Sequence, residues 1–497
     1  MPQILHDPLD LAKEVDKEFL NNYIEFLEPY LSSDSINKLK EYFTIGKDEK
    51  TSKELWKSLI IDSISLLKIN DARENLFAHS ISIHKEKLIN DISGLHENYN
   101  NLRQFNCYGI EDLERYFNDF VHFESVLYGS DKNYRDHVNH VISVWAIGII
   151  FLFKYNLIEG ISLNDKAVAS KYKYSFLDPA IRDSEKCKVS NTRKHTINIA
   201  KGELVSIWTM IALCHDLGYP IEKASKINEK LKTIIGHFGQ INIDEFNYNF
   251  SILSSFLVEK FLNIISSKPD IKTRHTRIQE KYRDKLSKGL EDFRHGIFSS
   301  LLLYKSLTYF LETDYSYDGD DLSYEDLRQF YIRKEILRSI AAHTSPKLYH
   351  LNIKNLAFLL FISDELNEWG RPNFEDFKSP GTRKSSPSVL INDYTLSKDH
   401  DKLDVEFVYK SIENDEIIEP NIKRKFRIFY HLLRTAKDDK NRKFEFIWTL
   451  TFKIKNSKKV IKYCFVFNSE QSPDKIIDVK KWENKKYSDL DILNDTK

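Results

Sequence analysis

The sequence predicts a mainly α fold that ends in a small α+β domain. The 497 residues include 32 Phe and 26 Tyr but only 15 Gly, a composition that suits packed helices and argues against disorder or a repeat array. Apolar residues recur at helical spacing, as in Phe19, Tyr23, Phe26, Leu27 and Tyr30, whereas from about residue 403 onward they alternate as in strands. Lys plus Arg and Asp plus Glu number 74 each, so no global field advertises a nucleic-acid or membrane partner, although local patches stay open.

The four cysteines, Cys107, Cys187, Cys214 and Cys464, form no CxxC or zinc spacing, and a reducing, cytoplasmic setting is expected. The start, Met1 to Asp7, carries neither a basic nor an apolar leader segment, so secretion is not expected. The longest apolar run, Val141 to Phe153, is shorter than the roughly 20 residues a bilayer requires. It is expected to be a core helix, with no membrane partner.

Residues 1–125 read as a helical N-terminal region, either a wrapper or an oligomer contact; His79, His84, His96 and His122 sit there among polar neighbours without an acid at ligand spacing. Residues 126–375 read as one helical domain. It opens on Asn133-Tyr-Arg-Asp-His137-Val-Asn-His140, whose two histidines share a helical face that an apolar run then buries. The polar stretch that follows, with Lys166, Lys171, Lys173, Arg182, Arg193, Lys194 and His195, fits either a lid over phosphates or a solvated loop.

Leu204 to Pro220 is apolar on nearly every face and ends in His215-Asp216 before Gly218 and Pro220 stop it. Burying a histidine and an aspartate there costs several kcal/mol unless something compensates, and a cation is the simplest compensator. His295 heads another apolar helix, and His343 ends a helix just before Pro346. Asp364 follows the apolar run from Leu356, again a costly group to bury alone. The acidic stretch from Glu312 to Asp326 misses the spacing of a calcium loop and reads as solvated.

Residues 376–402 read as a linker and residues 403–497 as the α+β domain. That domain is expected to hold strands at Leu403–Lys410, Phe444–Lys455 and Val460–Phe467 and a helix at Ile422–Ala436. Its basic cluster, Lys423, Arg424, Lys425, Arg427, Arg434, Lys437, Arg442 and Lys443, fits a regulatory nucleotide, a partner protein or a solvated face.

Taken in order, His140, His215-Asp216, His295, His343 and Asp364 resemble the HD superfamily of metal-dependent phosphohydrolases, whose pattern is a histidine, a His-Asp pair and a distant aspartate on a helical core. The resemblance spans about residues 130–372 and implies a helical HD-domain core between the N-terminal region and the α+β domain. It implies His140, His215, Asp216 and Asp364 as ligands of one divalent metal, with His140 preferred to His137. His295 and His343 would complete a second metal site or act as the acid near the leaving group, a role open to His137 as well. Imidazole and carboxylate ligands suit manganese, iron, nickel, cobalt or zinc, with magnesium where carboxylates and waters dominate. Such a site polarises a phosphoryl oxygen and acidifies water. Arg135, Lys223, Arg294 and Arg371 flank the ligands and are candidates for clamping a polyphosphate.

Cys214-His-Asp-Leu-Gly-Tyr-Pro220 looks like the segment of the deoxynucleoside triphosphate (dGTP-type) triphosphohydrolase branch, in which His-Asp-Ile/Leu-Gly-His-Pro is common. Tyr219 stands where that branch has histidine, and Glu222 and Lys223 lie where a further histidine is usual. The extended histidine set with Trp369-Gly-Arg-Pro372 also looks like HD domains of bacterial antiphage systems. The resemblance therefore implies nucleotide hydrolysis in the cytoplasm, by a chain open to homo-oligomer formation. The alternatives are a phosphodiesterase for cyclic nucleotides or nucleic acid, and a catalytically silent nucleotide-binding module.

Overall fold

The apolar runs of the first three quarters of the chain become helices, and most of their residues are buried. The structure, a computed structural model, describes residues 23–44, 49–79, 108–130, 137–154, 201–237, 252–270, 275–312, 324–345, 356–367, 388–396, 402–410, 447–455, 460–468 and 477–482. These residues are mainly helical. The helices are α1 (Ser33–Thr44), α2 (Glu49–His79), α3 (Ile110–Ser130), α4 (Val138–Lys154), α5 (Lys201–Cys214), α6 (Tyr219–Gly236), α7 (Ile252–Ser266), α8 (Glu280–Glu291), α9 (His295–Ser306), α10 (Thr308–Leu311), α11 (Tyr324–Ala342) and α12 (Leu356–Asn367). A short antiparallel hairpin, β1 (Ser267–Asp270) with β2 (His275–Ile278), follows α7.

Helix α5 is the centre of the bundle: Leu204, Val205, Ile207, Trp208, Met210, Ile211, Ala212, Leu213 and Cys214 are all buried. An element buried on every side has no polar face to orient it, so its neighbours must fix its position. Against α4 this is done by two indoles. Trp145 Nε1 donates to Thr209 Oγ1 at 2.9 Å, and Trp208 Nε1 donates to the Trp145 carbonyl at 3.0 Å. Gly148 leaves the space that the Trp208 ring occupies, since a Cβ there would lie 1.9 Å from Trp208 Cζ2. The stretch Gly202–Gly236 is long and apolar enough to cross a bilayer, but 83% of its most apolar window is buried inside the protein, and a turn at residues 215–218 breaks it.

The N-terminal helices belong to this core. Trp56 of α2 stacks on Phe117 of α3 with ring centroids 4.0 Å apart, and its Nε1 donates to the Leu213 carbonyl of α5 at 2.9 Å. Tyr42 and Ser52 both donate to Asn139 Oδ1 on α4, at 3.2 and 2.7 Å. A wrapper or oligomer contact therefore understates the role of this region: it holds α4 and α5 directly.

Five strands, β3 (Ser388–Leu396), β4 (Lys402–Lys410), β5 (Ile447–Lys455), β6 (Val460–Asn468) and β7 (Ile477–Trp482), form one sheet in sequence order. The three expected strands correspond to β4, β5 and β6. Strand β3 runs through the stretch read as a linker, and β7 was not foreseen. All pairs are antiparallel except β4 with β5, and a parallel pair between successive strands needs a long crossover. The residues between Lys410 and Ile447 give that length; the expected helix Ile422–Ala436 and its basic cluster lie outside the described residues. Register places Leu403, Val405 and Phe407 beside Trp448, Leu450 and Phe452, and those beside Phe467, Phe465 and Tyr463, so one face of the sheet is apolar in sequence.

Replacing Gly148 with alanine is expected to destabilise the protein by about 1–3 kcal/mol, because Trp208 cannot be accommodated without displacing α4 from α5. An unchanged urea midpoint for Gly148→Ala would show that the α4–α5 seam is looser than its geometry implies.

Candidate metal centre

The C-terminal end of α5 sets the geometry. A helix leaves its last carbonyls without backbone partners, and here side chains from several elements take them. The His215 ring donates from Nδ1 to the Ala212 carbonyl at 2.8 Å, and Trp56 takes Leu213 as described above. Ser299 Oγ donates to the His215 carbonyl at 2.7 Å, and Tyr116 Oη to the Leu217 carbonyl at 2.5 Å. The turn is thus pinned by α2, α3 and α9. Gly218 allows α9 to approach, since a Cβ there would lie 2.2 Å from the His295 carbonyl oxygen, and Gly296 does the same for His343, whose Nδ1 would be 2.7 Å from an added Cβ.

Asp216 lies at the centre, and its two oxygens face different imidazoles. Oδ2 is 3.3 Å from His215 Nε2 and 3.5 Å from His140 Nε2. Oδ1 is 3.2 Å from His295 Nε2 and 3.7 Å from His343 Nε2. Asp364 Oδ1 closes the first group, at 2.9 Å from His140 Nε2 and 4.0 Å from His215 Nε2. His295 Nε2 and His343 Nε2 are 3.2 Å apart.

These residues fit a cation. The ligand atoms of His140, His215 and Asp364 lie within 4.8 Å of one another, as do those of His215, Asp216 and His343. His215 is fully buried, and its Nε2 has no hydrogen-bond partner among the described residues, although it points into a cluster of carboxylates. Since Nδ1 of both His215 and His343 faces a carbonyl oxygen, at 2.8 and 2.7 Å, each neutral ring keeps its proton there and turns an Nε2 lone pair inward. That is the tautomer metal ligation needs.

Glu222 of α6 adds a carboxylate that the sequence reading left without a role. Its Oε2 accepts from His295 Nδ1 at 2.6 Å and from the His295 backbone N–H at 3.1 Å. Burial opposes charge on His295, but Asp216 and Glu222 outweigh it and raise the imidazole to about 9. Glu222 is lowered to about 2 against its own burial, chiefly by the hydrogen bond from His295. Burial also opposes ionisation of Asp216 and Asp364, yet His215, with His295 and His343, holds Asp216 well below the carboxylate range, and His140 lowers Asp364. His343 is shifted the other way, lowered by burial.

His140, His215, Asp216, His295, His343 and Asp364 converge. His137 lies beside them: its backbone N–H donates to Glu124 Oε1 at 2.8 Å, its Nδ1 is 3.3 Å from the same oxygen, and its ring centroid is 4.1 Å from that of Tyr219. Tyr219 thus stands between His137 and His295, the latter at 5.0 Å. Lys223 is buried with its Nζ 4.7 Å over the Tyr219 ring, which commits its ammonium to the wall of the site. Arg294 makes no hydrogen bond or ion pair with the cluster among the described residues. Arg135, Arg371, the basic stretch from Lys166 to His195 and most of the acidic stretch before Asp326 lie outside them.

Three partners escaped the sequence: Glu124, Glu222 and Asn367. Asn367 carries a signal, one helical turn after Asp364, and Glu222 stands where the resembled pattern has a histidine; Glu124 carries none. No family model, curated protein or solved structure matches the chain.

In metal-stripped protein, His295 is expected to stay protonated until about pH 9. A raised folded-state pKa stabilises fully below the ordinary value of 6.5 and is lost as pH rises through 9. Glu222→Gln should lower that titration by about one unit or more, by removing one of two charged partners. Histidine-resolved NMR titration of both proteins checks this, and an unshifted midpoint would show that Glu222 does not govern His295.

Proposed function

We propose that this chain is a metal-dependent HD-type phosphohydrolase acting on nucleotides, with a helical HD core flanked by the helical N-terminal region and the small α+β domain. The observation that carries the reading is Asp216, whose two oxygens address two groups of imidazoles. One carboxylate shared in this way suits a mono- or binuclear divalent centre, with His140, His215, Asp216 and Asp364 holding one ion and Asp216, His295 and His343 able to hold a second. Bound there, such ions supply Lewis-acid polarisation of a phosphoryl oxygen and acidify water for attack at phosphorus.

The remaining chemistry falls to the chain. Glu222 holds His295 as a cation, and an imidazolium at the rim of the cluster can protonate a departing oxygen. Tyr219, with His137 behind it and Lys223 over its ring, forms a wall that carries positive charge next to a polyphosphate. The leading substrate is a deoxynucleoside triphosphate of the dGTP type. Water adds at phosphorus, the bond to the nucleoside oxygen breaks, and triphosphate and deoxynucleoside leave. Depleting such nucleotides fits an antiphage role in the cytoplasm. Homo-oligomer formation, and a regulatory nucleotide or partner protein at the C-terminal domain, belong to the same proposal.

A phosphodiesterase is the second reading. It is favoured by the close approach of His295 Nε2 to His343 Nε2, because both rings would hold a second ion and neither would then serve as the acid, and two such ions would supply clamping of an in-line displacement at a diester.

Incubation of the purified chain with manganese and a panel of dNTPs, NTPs, cyclic nucleotides and oligonucleotides separates these readings. Triphosphate release is expected, with Asp216→Ala reducing both turnover and bound metal, turnover by more than about a hundredfold. Linear products from cyclic substrates would establish the phosphodiesterase. Tight nucleotide binding without turnover would reveal a silent module.

A further inference from the structure

Helix α12 delivers two groups to the site, Asp364 and, one turn later, Asn367, which share a face at this spacing. Asn367 Nδ2 lies 2.8 Å from His140 Nδ1 and 3.2 Å from the His140 carbonyl oxygen. The amide nitrogen carries two hydrogens, so it donates to both. His140 Nδ1 is then an acceptor, and the one proton of the neutral ring sits on Nε2, 2.9 Å from Asp364 Oδ1.

This sets His140 apart from His215 and His343. Their Nδ1 atoms face backbone carbonyl oxygens, which only accept, so whenever those rings are neutral the lone pair is the inward one. The partner of His140 is a carboxamide, which has a donor end and an acceptor end. We infer that Asn367 is a positioning residue that sets which nitrogen of His140 carries the proton, and so whether His140 is ready to ligate; the inference rests on His140 being a metal ligand. With the NH2 end inward, the proton is on Nε2, which faces Asp364 Oδ1 at 2.9 Å. A half-turn of the carboxamide brings Oδ1 to His140, Nδ1 takes the proton, and Nε2 gains a lone pair. The ring changes tautomer without changing charge. The cost is the donor to the His140 carbonyl, so the inward NH2 is the resting arrangement.

Asn367→Asp and Asn367→Leu divide the possibilities. A carboxylate only accepts, so it holds His140 as the Nδ1–H tautomer even without metal; leucine sets neither. Nitrogen-15 NMR of metal-stripped protein, with His140 assigned by loss of its signals in His140→Gln, should show Nε2–H in the wild type and Nδ1–H in Asn367→Asp. The wild type should convert to Nδ1–H when loaded with zinc. Chelator competition with manganese should find Asn367→Asp binding at least as tightly as the wild type and Asn367→Leu about tenfold or more weaker. An Nδ1–H tautomer in stripped wild type, or equal affinity in all three proteins, overturns the role of Asn367 while leaving the metal site standing. Failure of the wild type to bind manganese or zinc removes the metal reading and this inference together. If Asn367→Leu does not fold, the tautomers of the wild type and Asn367→Asp decide alone.

Discussion

The structure depends on one awkward group, the Asp216 carboxylate, buried at the end of a helix that is apolar all round. A charge removed from water must be repaid by near neighbours or it neutralises. Its own helix offers one imidazole, His215. The others arrive from α4, α9 and the end of α11, and Asp364 arrives from α12. The helix packing can therefore be read as the means by which five segments, far apart in sequence, bring nitrogen and oxygen within a few ångströms of one carboxylate. These groups could hold a divalent ion, which would relieve what they leave unbalanced, two carboxylates among imidazoles.

Such convergence demands a turn that does not move. The carbonyls at the end of α5 are held by Trp56, Tyr116 and Ser299, and glycine at 218 and 296 lets helices approach where any side chain would collide. The N-terminal helices thus act on the site without entering it. A shift of α2 or α3 would tilt the turn and spread the ligands, which makes this region a mechanical part of the centre.

What was legible in the sequence follows from this. Helices announced themselves because a buried helix shows long apolar runs, and the six converging residues were visible because each is a costly polar group attached to such a run. The hydrogen-bonding partners were not. Glu124 and Glu222 lie on polar helix faces, where a carboxylate is unremarkable until tertiary packing brings His137 or His295 to it. Trp56 and Tyr116 were hidden for another reason: their acceptors are backbone carbonyls, which no sequence motif records. Strand β3 was obscured by the polar, proline-bearing stretch before it, which leaves only the short apolar run Val389-Leu390-Ile391 as a signal.

The groups behind the imidazoles order the site more finely than the imidazoles themselves. Backbone carbonyls behind His215 and His343 keep the proton of the neutral ring on Nδ1 and leave the inward nitrogen free to ligate. A carboxylate behind His295 favours the cation. An amide behind His140 leaves both tautomers open. The same residue type is thus given three different tasks by what touches its far nitrogen. Tyr219 fits this scheme. This chain places a phenol ring against His137 and His295, so the rim of the cluster is lined by two imidazoles, a phenol and the carboxylate of Glu222 behind His295.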